Sequence, residues 1–242
     1  MTQYLEADWP AHSRVRTLVS TRAGGVSTGA WASFNLGLQC GDKEQSVLEN
    51  RRRLRTRLPA EPAWLRQVHG RDVASWTDAQ AGVEADAIIT GQSKQVCVIL
   101  TADCLPVLVA DVDGRQVAAI HAGWRGLAAG IIEHTIKSMP VAPDRLMAWL
   151  GPAISSCHYQ VGEEVRAAFL ERSVNFSSAF VPDGDRWKAD LYQLARQQLQ
   201  LAGVKSVHGG NYCTFGEPDR FYSYRRDGQT GRMASLVWLS GE

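Results

Sequence analysis

The chain has 242 residues, enough for one large domain or two small ones, and folding at this length buries roughly 70–75% of the chain surface. Hydrophobic residues make up 45% and charged residues 21%, the mix of an ordinary globule and not of a disordered or fibrous chain. With 26 Lys+Arg against 25 Asp+Glu, the net charge of +1 excludes the broad positive surface on which nucleic-acid binding draws.

The opening stretch MTQYLEADWPAHSRVR has no apolar core of signal-peptide length, and Asp103 and Pro106 interrupt the apolar run from 96 to 110. No bilayer span and a cytoplasmic location are therefore expected. Five cysteines, Cys40, Cys97, Cys104, Cys157 and Cys213, are scattered and form no CxxC pair. They read as free thiols of a reducing compartment.

Along the chain, β-type runs rich in Val, Ile and Leu are expected at 17–20, 73–76, 87–90, 96–101, 105–110 and 117–121. Between the early runs, Ser46 and Glu49 have capping-box spacing. Val47, Leu54 and Leu58 then share one helical face that Pro59 ends. The arginines at 51, 52, 53, 55 and 57 on that helix read as a solvated face. A second helix is expected over 127–139, with Leu127, Ile131 and Thr135 on one stripe, and a third over 162–172, with Val165 and Phe169 four apart. Asp190 is placed to cap a fourth over 191–202, with Leu191, Leu194 and Leu201 inward and Gly203 at its exit. Further strands are expected at 146–150, 204–207, 221–224 and 233–239. Strands crowd 87–121 without helical crossovers, and helices dominate 127–202. That segregation predicts an α+β fold, a single domain over 1–242 with mixed β-sheets flanked by helices.

Chemistry concentrates in three segments: Gln67-Val68-His69-Gly70, Thr101-Ala102-Asp103-Cys104, and His121-Ala122-Gly123-Trp124-Arg125-Gly126. Cys104 and His121 each stand where a strand gives way to a loop, so their side chains can converge at one sheet edge. Two imidazoles and a thiolate suit a three-coordinate zinc with a fourth position for water. The intervals are long, 35 residues (69 to 104) and then 17 (104 to 121), so no local metal motif supports them. Taken singly, a cysteine after a strand reads as a small buried hydrophobe. The small residues of HAGWRG suit close approach to a ligand.

These segments resemble the YfiH family, also called laccase-domain proteins, peptidoglycan editing factors and purine nucleoside phosphorylases. The resemblance rests on STRAGGVS (20–27), FNLG (34–37), CGD (40–42), WLRQVHG (64–70), TADCLPVL (101–108), HAGWRGL (121–127), GPAI (151–154) and SYRRDGQTGRMAS (223–235). It implies that His69, Cys104 and His121 hold one active-site metal ion, zinc with copper as the other option. The implied activity is phosphorolysis of adenosine, inosine and methylthioadenosine to base and ribose 1-phosphate, together with adenosine deamination. The partners are then purine nucleosides and phosphate, with no nucleic acid and no membrane, in a monomer or homodimer.

Phosphorolysis needs an anion site, and guanidinium forks suit it. Arg22, Arg125 and Arg225 are the candidates, with Arg226 reading equally well as an ion pair to Asp227. Arg125 ranks first, four residues from His121. Three other readings stay open. A copper oxidase acting on phenols would need a histidine-rich cluster beyond the first site, and the chain has only six histidines. A hydrolase of cell-wall precursors would use Cys104 as nucleophile and His121 as base. A structural metal would need a fourth ligand, with Cys157 or His158 as candidates. The aromatic stretch 221–224 could stack on a purine, although an ordinary half-buried strand explains it as well.

Overall fold

In the computed structural model, residues 3–241 are described. Two large sheets lie face to face with helices on both outer sides, an α+β architecture with mixed sheets. The first sheet has five strands, β1 (Tyr4–Leu5), β2 (Val15–Ser20), β3 (Pro62–Trp64), β6 (Val96–Thr101) and β14 (Met233–Leu239), ordered β1-β2-β14-β6-β3. The second has six, β4 (Val73–Ser75), β5 (Ala87–Thr90), β7 (Leu105–Asp111), β8 (Val117–Ala122), β9 (Leu146–Leu150) and β13 (Ser206–Gly209), ordered β13-β9-β7-β8-β5-β4. Parallel pairs, β3 with β6 and β4 with β5, sit among antiparallel ones.

Period-two alternation assigns the faces. In β7, Leu108 and Ala110 pack between the sheets against Ile99 and Val237, whereas Leu105, Val107 and Val109 face the helices. In β8, Val117 and Ala119 likewise face the other sheet, and Ala118, Ile120 and Ala122 face the helices. Helices α3 (Trp124–Ala129), α4 (Ile131–Ser138), α5 (Glu163–Leu170) and α6 (Leu191–Leu201) cover that outer face through Leu127, Ile132, Phe169 and Leu194. Helix α1 (Glu44–Arg55) covers the five-stranded sheet through Leu54, beside Phe34 and Leu36. Short α2 (Trp76–Gln80) follows β4 and is closed by a full capping box on Ser75 and Asp78.

Several expectations need correction. Helix 127–139 is two helices: Gly130 takes φ +89 and its N–H bonds back to Leu127 and Gly126 carbonyls, so α3 ends there and α4 starts anew. The capping box at Ser46 does not form, because α1 begins earlier, after Lys43, and Glu49 pairs with Arg52 and Arg53. Asp190 does cap α6 by accepting from the Gln193 N–H, but Leu201 is 63% exposed and Leu199 is buried in its place. Residues 221–224 are not a strand. Phe221 and Tyr222 are fully buried, the Tyr222 hydroxyl donates to Trp31 O at 2.6 Å, and the short helix α7 (Tyr224–Asp227) follows. The strand expected at 204–207 lies at 206–209. A small third sheet, β10 (Gln160–Val161), β11 (Phe180–Asp183) and β12 (Arg186–Ala189), has no clean apolar run and was not anticipated.

Candidate metal centre and its groove

Two links between the sheets run over the same end of the sandwich. Residues 102–104 carry the chain from β6 to β7, and residues 65–72 carry it from β3 to β4. Cys104 lies on the first link and His69 on the second. His121 arrives from the end of β8, opposite Pro106 in the ladder and on the same side as Val117 and Ala119. Residues distant in sequence therefore meet: one ligand atom each from His69, Cys104 and His121 lies within 4.8 Å of the others. The His69 and His121 rings stand edge to face, with centroids 4.8 Å apart.

Asp86, fully buried ahead of β5, organises the cluster. Its carboxylate accepts the backbone N–H groups of Val68 (3.2 Å), His69 (2.9 Å) and Gly70 (2.7 Å), and Oδ1 lies 2.7 Å from His121 Nδ1. Those bonds hold His69 at φ +61, a left-handed backbone that a non-glycine residue rarely adopts. Gln67 steadies the same loop by pairing its amide with both the N–H and the C=O of Leu100, at 2.7 and 2.8 Å.

The electrostatics follow from this packing. Burial pushes the Cys104 thiol up, but the facing His121 and His69 imidazoles more than offset it, and the group is held well below its ordinary range. For His121, burial favours the neutral ring; the Cys104 charge and the Asp86 bond outweigh it and raise the pKa. Burial likewise opposes ionisation of Asp86, and His121 with the Gly70 and Val68 amides overcomes it.

The donor set fits a metal ion. Two nitrogens and a soft sulfur suit zinc or copper, whose bonds of about 2.0–2.3 Å span such a cluster. Space for it is preserved by glycine: a Cβ at Gly123 would come within 3.1 Å of Cys104 Sγ and 3.3 Å of His69 Cδ2. At Gly126 a Cβ would meet Gly70 O at 2.8 Å. The small residues of HAGWRG thus admit the protein's own site loops, rather than a ligand alone. Among the described residues this is the one cluster of three His, Cys, Asp or Glu able to hold an ion. His158 is not part of it, since its ring stacks on Phe215 and its Nδ1 lies 3.5 Å from Cys213 Sγ; Cys157 is exposed.

The cluster lines one wall of a groove of about 640 Å³ whose other walls include Leu38, Cys40, Trp64, Leu100, Tyr224 and Arg232. Arg51 also lines it, with its guanidinium 3.7 Å over the Trp64 ring and Nε donating to Leu36 O. The arginine run on α1 is therefore not a uniformly solvated face.

The four arginines noted in the sequence separate. Arg125 is exposed, lies over the Trp124 ring at 4.5 Å, and among the described residues makes no ion pair. Arg225 reaches the Tyr159 ring at 5.0 Å and donates from Nη1 to Gln160 O. Tyr159 is buried: burial raises its pKa, the Cys104 and Asp103 charges add to the rise, and Arg225 and Arg125 counter it. Arg22 is committed to two backbone carbonyls, Ala32 O and Pro218 O. Arg226 forks onto Asp227 and also donates to the Thr214, Phe215 and Phe221 carbonyls. A second buried carboxylate, Asp103 at φ +88, ties this wall to Cys104 by accepting from Thr214 Oγ1, Ser223 Oγ and the Arg225 N–H at 2.6, 3.0 and 2.7 Å.

A family described as multi-copper polyphenol oxidoreductase laccase matches residues 16–240. The chain is 51% identical to a purine nucleoside phosphorylase of Pseudomonas aeruginosa, covering 99% of both, and 48% identical to the purine nucleoside phosphorylase YfiH of Escherichia coli, covering 99% of this chain and 100% of that one. This chain belongs to the YfiH, or laccase-domain, family. Solved structures of the family share the fold. A Neisseria meningitidis protein superposes with a TM-score of 0.96 at 48% identity, covering 99% of this chain and 100% of that one. YlmD of Geobacillus stearothermophilus does so at 0.88 and 29%, covering 99% and 97%. Among the described residues no helix is long and apolar enough to cross a membrane.

Sequence reasoning missed Asp86, Tyr159 and most of the groove walls, although the aromatic stretch 221–224 contains the wall residue Tyr224. Asp86 did leave a signal, a charged residue directly before a buried apolar strand, a position that carboxylates occupy only when paired.

Proposed function

We propose that the chain is a metal-dependent purine nucleoside phosphorylase acting as one catalytic domain, with His69, Cys104 and His121 as the ligands of a single ion, zinc in preference to copper. The reading rests above all on three donor atoms within 4.8 Å of one another, on the wall of a groove of the size that small-molecule sites have. The full-length likeness to relatives named purine nucleoside phosphorylases supports the substrate class. Adenosine, inosine and methylthioadenosine are the proposed nucleosides, and phosphate is the second substrate.

In phosphorolysis a phosphate oxygen bonds to the anomeric carbon, the bond from that carbon to the purine nitrogen breaks, and the base leaves with a proton. Arg125 and Arg225 are assigned to the phosphate, because both are exposed and their charges reach Tyr159; Arg225 is held by a single carbonyl, Gln160 O, whereas Arg22 and Arg226 are each held by two or more. The apolar wall of Leu38, Trp64 and Leu100 excludes water from the bound base. The bound ion would supply Lewis acidity toward a nitrogen or oxygen of the reactant. Adenosine deamination, in which water adds at the amine-bearing carbon and ammonia leaves, is proposed as a second activity of the same groove.

Cys104, His121 and Asp86 also stand in the order of a thiol nucleophile, its base and an orienting carboxylate. Incubating metal-analysed protein with adenosine, with and without phosphate, separates these readings. Adenine with ribose 1-phosphate, lost on chelation, supports the proposal. Turnover that survives chelation and dies on thiol alkylation supports the nucleophile instead.

A further inference from the structure

We propose that Asp86 is the positioning residue of the metal site, setting both histidine ligands at once: it fixes the ring tautomer of His121 and the backbone of His69. The inference rests on the ligand reading above and deepens it.

Four contacts converge on one fully buried carboxylate, three from successive backbone N–H groups at 68–70 and one from His121 Nδ1 at 2.7 Å. A carboxylate has about four acceptor positions, so every one is taken. A group ringed by backbone donors acts as an acceptor, and His121 Nδ1 is therefore its fourth donor. Nε2 is left with its lone pair on the side of Cys104 and His69. The His121 N–H also donates to the Asp86 C=O at 2.7 Å, which locks the two residues together through backbone and side chain.

His69 is bound to the same carboxylate only through the main chain. Its side chain enters the cluster because the 68–70 turn is wrapped around Asp86, with His69 at φ +61 and the Gly70 carbonyl against Gly126. One residue thus couples two ligands that are 52 positions apart (69 to 121). An amide in its place presents an N–H to at least one of the four donors. Partners of this kind typically contribute 10–100-fold to metal affinity.

The test is zinc affinity, measured by competition with a chromophoric chelator, and the absorption of the cobalt-substituted protein, for wild type and Asp86→Asn. Zinc binding weakened by about 10–100-fold, with the thiolate-to-cobalt band kept and the ligand-field bands changed, is expected. A distortion of the fold alone would lower the melting temperature without altering the spectrum of the loaded site.

Nitrogen-15 NMR of the zinc-loaded wild type needs no variant to fold. A proton on His121 Nδ1, with Nε2 carrying the metal-shifted resonance, is expected; the reverse assignment overturns the proposal. Unchanged affinity and spectra in Asp86→Asn overturn it as well. A wild-type chain that takes up no ion at all removes the ligand reading itself, and this proposal with it.

Discussion

The two walls of the site are built by different means. The His69/Cys104/His121 wall stands on strand ends and sheet-crossing links, is backed by the buried Asp86, and has glycine where any side chain would intrude. The Arg125/Tyr159/Arg225 wall stands beside the groove and not in its lining, and Asp103 anchors its Arg225 end by accepting from Thr214 Oγ1, Ser223 Oγ and the Arg225 N–H. Its two arginines are exposed. The first wall is preorganised by backbone, so its geometry is intolerant of change. The second offers charge on long side chains, which suits holding a diffusible anion. On this reading, chemistry is assigned to the rigid wall and phosphate to the adaptable one.

Substitutions on the two walls should differ in kind as well as size. The largest effects belong to His69→Ala, Cys104→Ala and His121→Ala. Each should remove the ion and cut nucleoside turnover on the order of a thousandfold or more, since several kcal/mol of transition-state stabilisation go with it. Metal analysis beside product chromatography checks both. Three variants that keep full phosphorolysis would erase the distinction between the walls.

On the other wall, Arg125→Ala and Arg225→Ala should retain the ion and raise the KM for phosphate by about 10–100-fold, the worth of one charge-assisted hydrogen bond at roughly 1.5–3 kcal/mol. Arg22→Ala should leave that KM alone and lower the melting temperature, because its donors serve Ala32 O and Pro218 O. If Arg22 proves the stronger phosphate determinant in steady-state kinetics, the second wall has been placed wrongly.

Gly126→Ala drives a methyl to 2.8 Å from Gly70 O. It should cost about 1–3 kcal/mol of stability by denaturant titration, with part of the loss appearing as weaker metal binding through the displaced His69 loop. The smallest effect is expected from His158→Ala, which should leave metal content unchanged, since that ring stacks on Phe215 away from the cluster.

Much of this was legible in the residues. Strands 87–90, 96–101, 146–150 and 233–239 stand where their apolar runs predict, because buried strands must be near-continuously apolar. The three chemistry-bearing segments were legible too, with Cys104 and His121 as polar residues at strand ends, whereas His69 lies in the middle of the link from β3 to β4. What the sequence hid is of another kind. Asp86 acts through backbone N–H groups of a loop 16–18 residues away, and that contact has no local signature. Gly130 splits one apolar stripe into two helices without breaking its periodicity. The third sheet is too short to show alternation, and the buried pair Phe221-Tyr222 mimics a strand while packing as coil.

The most direct measurement strips the protein of metal and returns zinc stepwise in the presence of adenosine and phosphate, recording ribose 1-phosphate against ions bound. The account predicts no product without zinc and a rate that climbs linearly to a plateau at one ion per chain. A full rate from metal-free protein, or a plateau reached only after several ions, would contradict it.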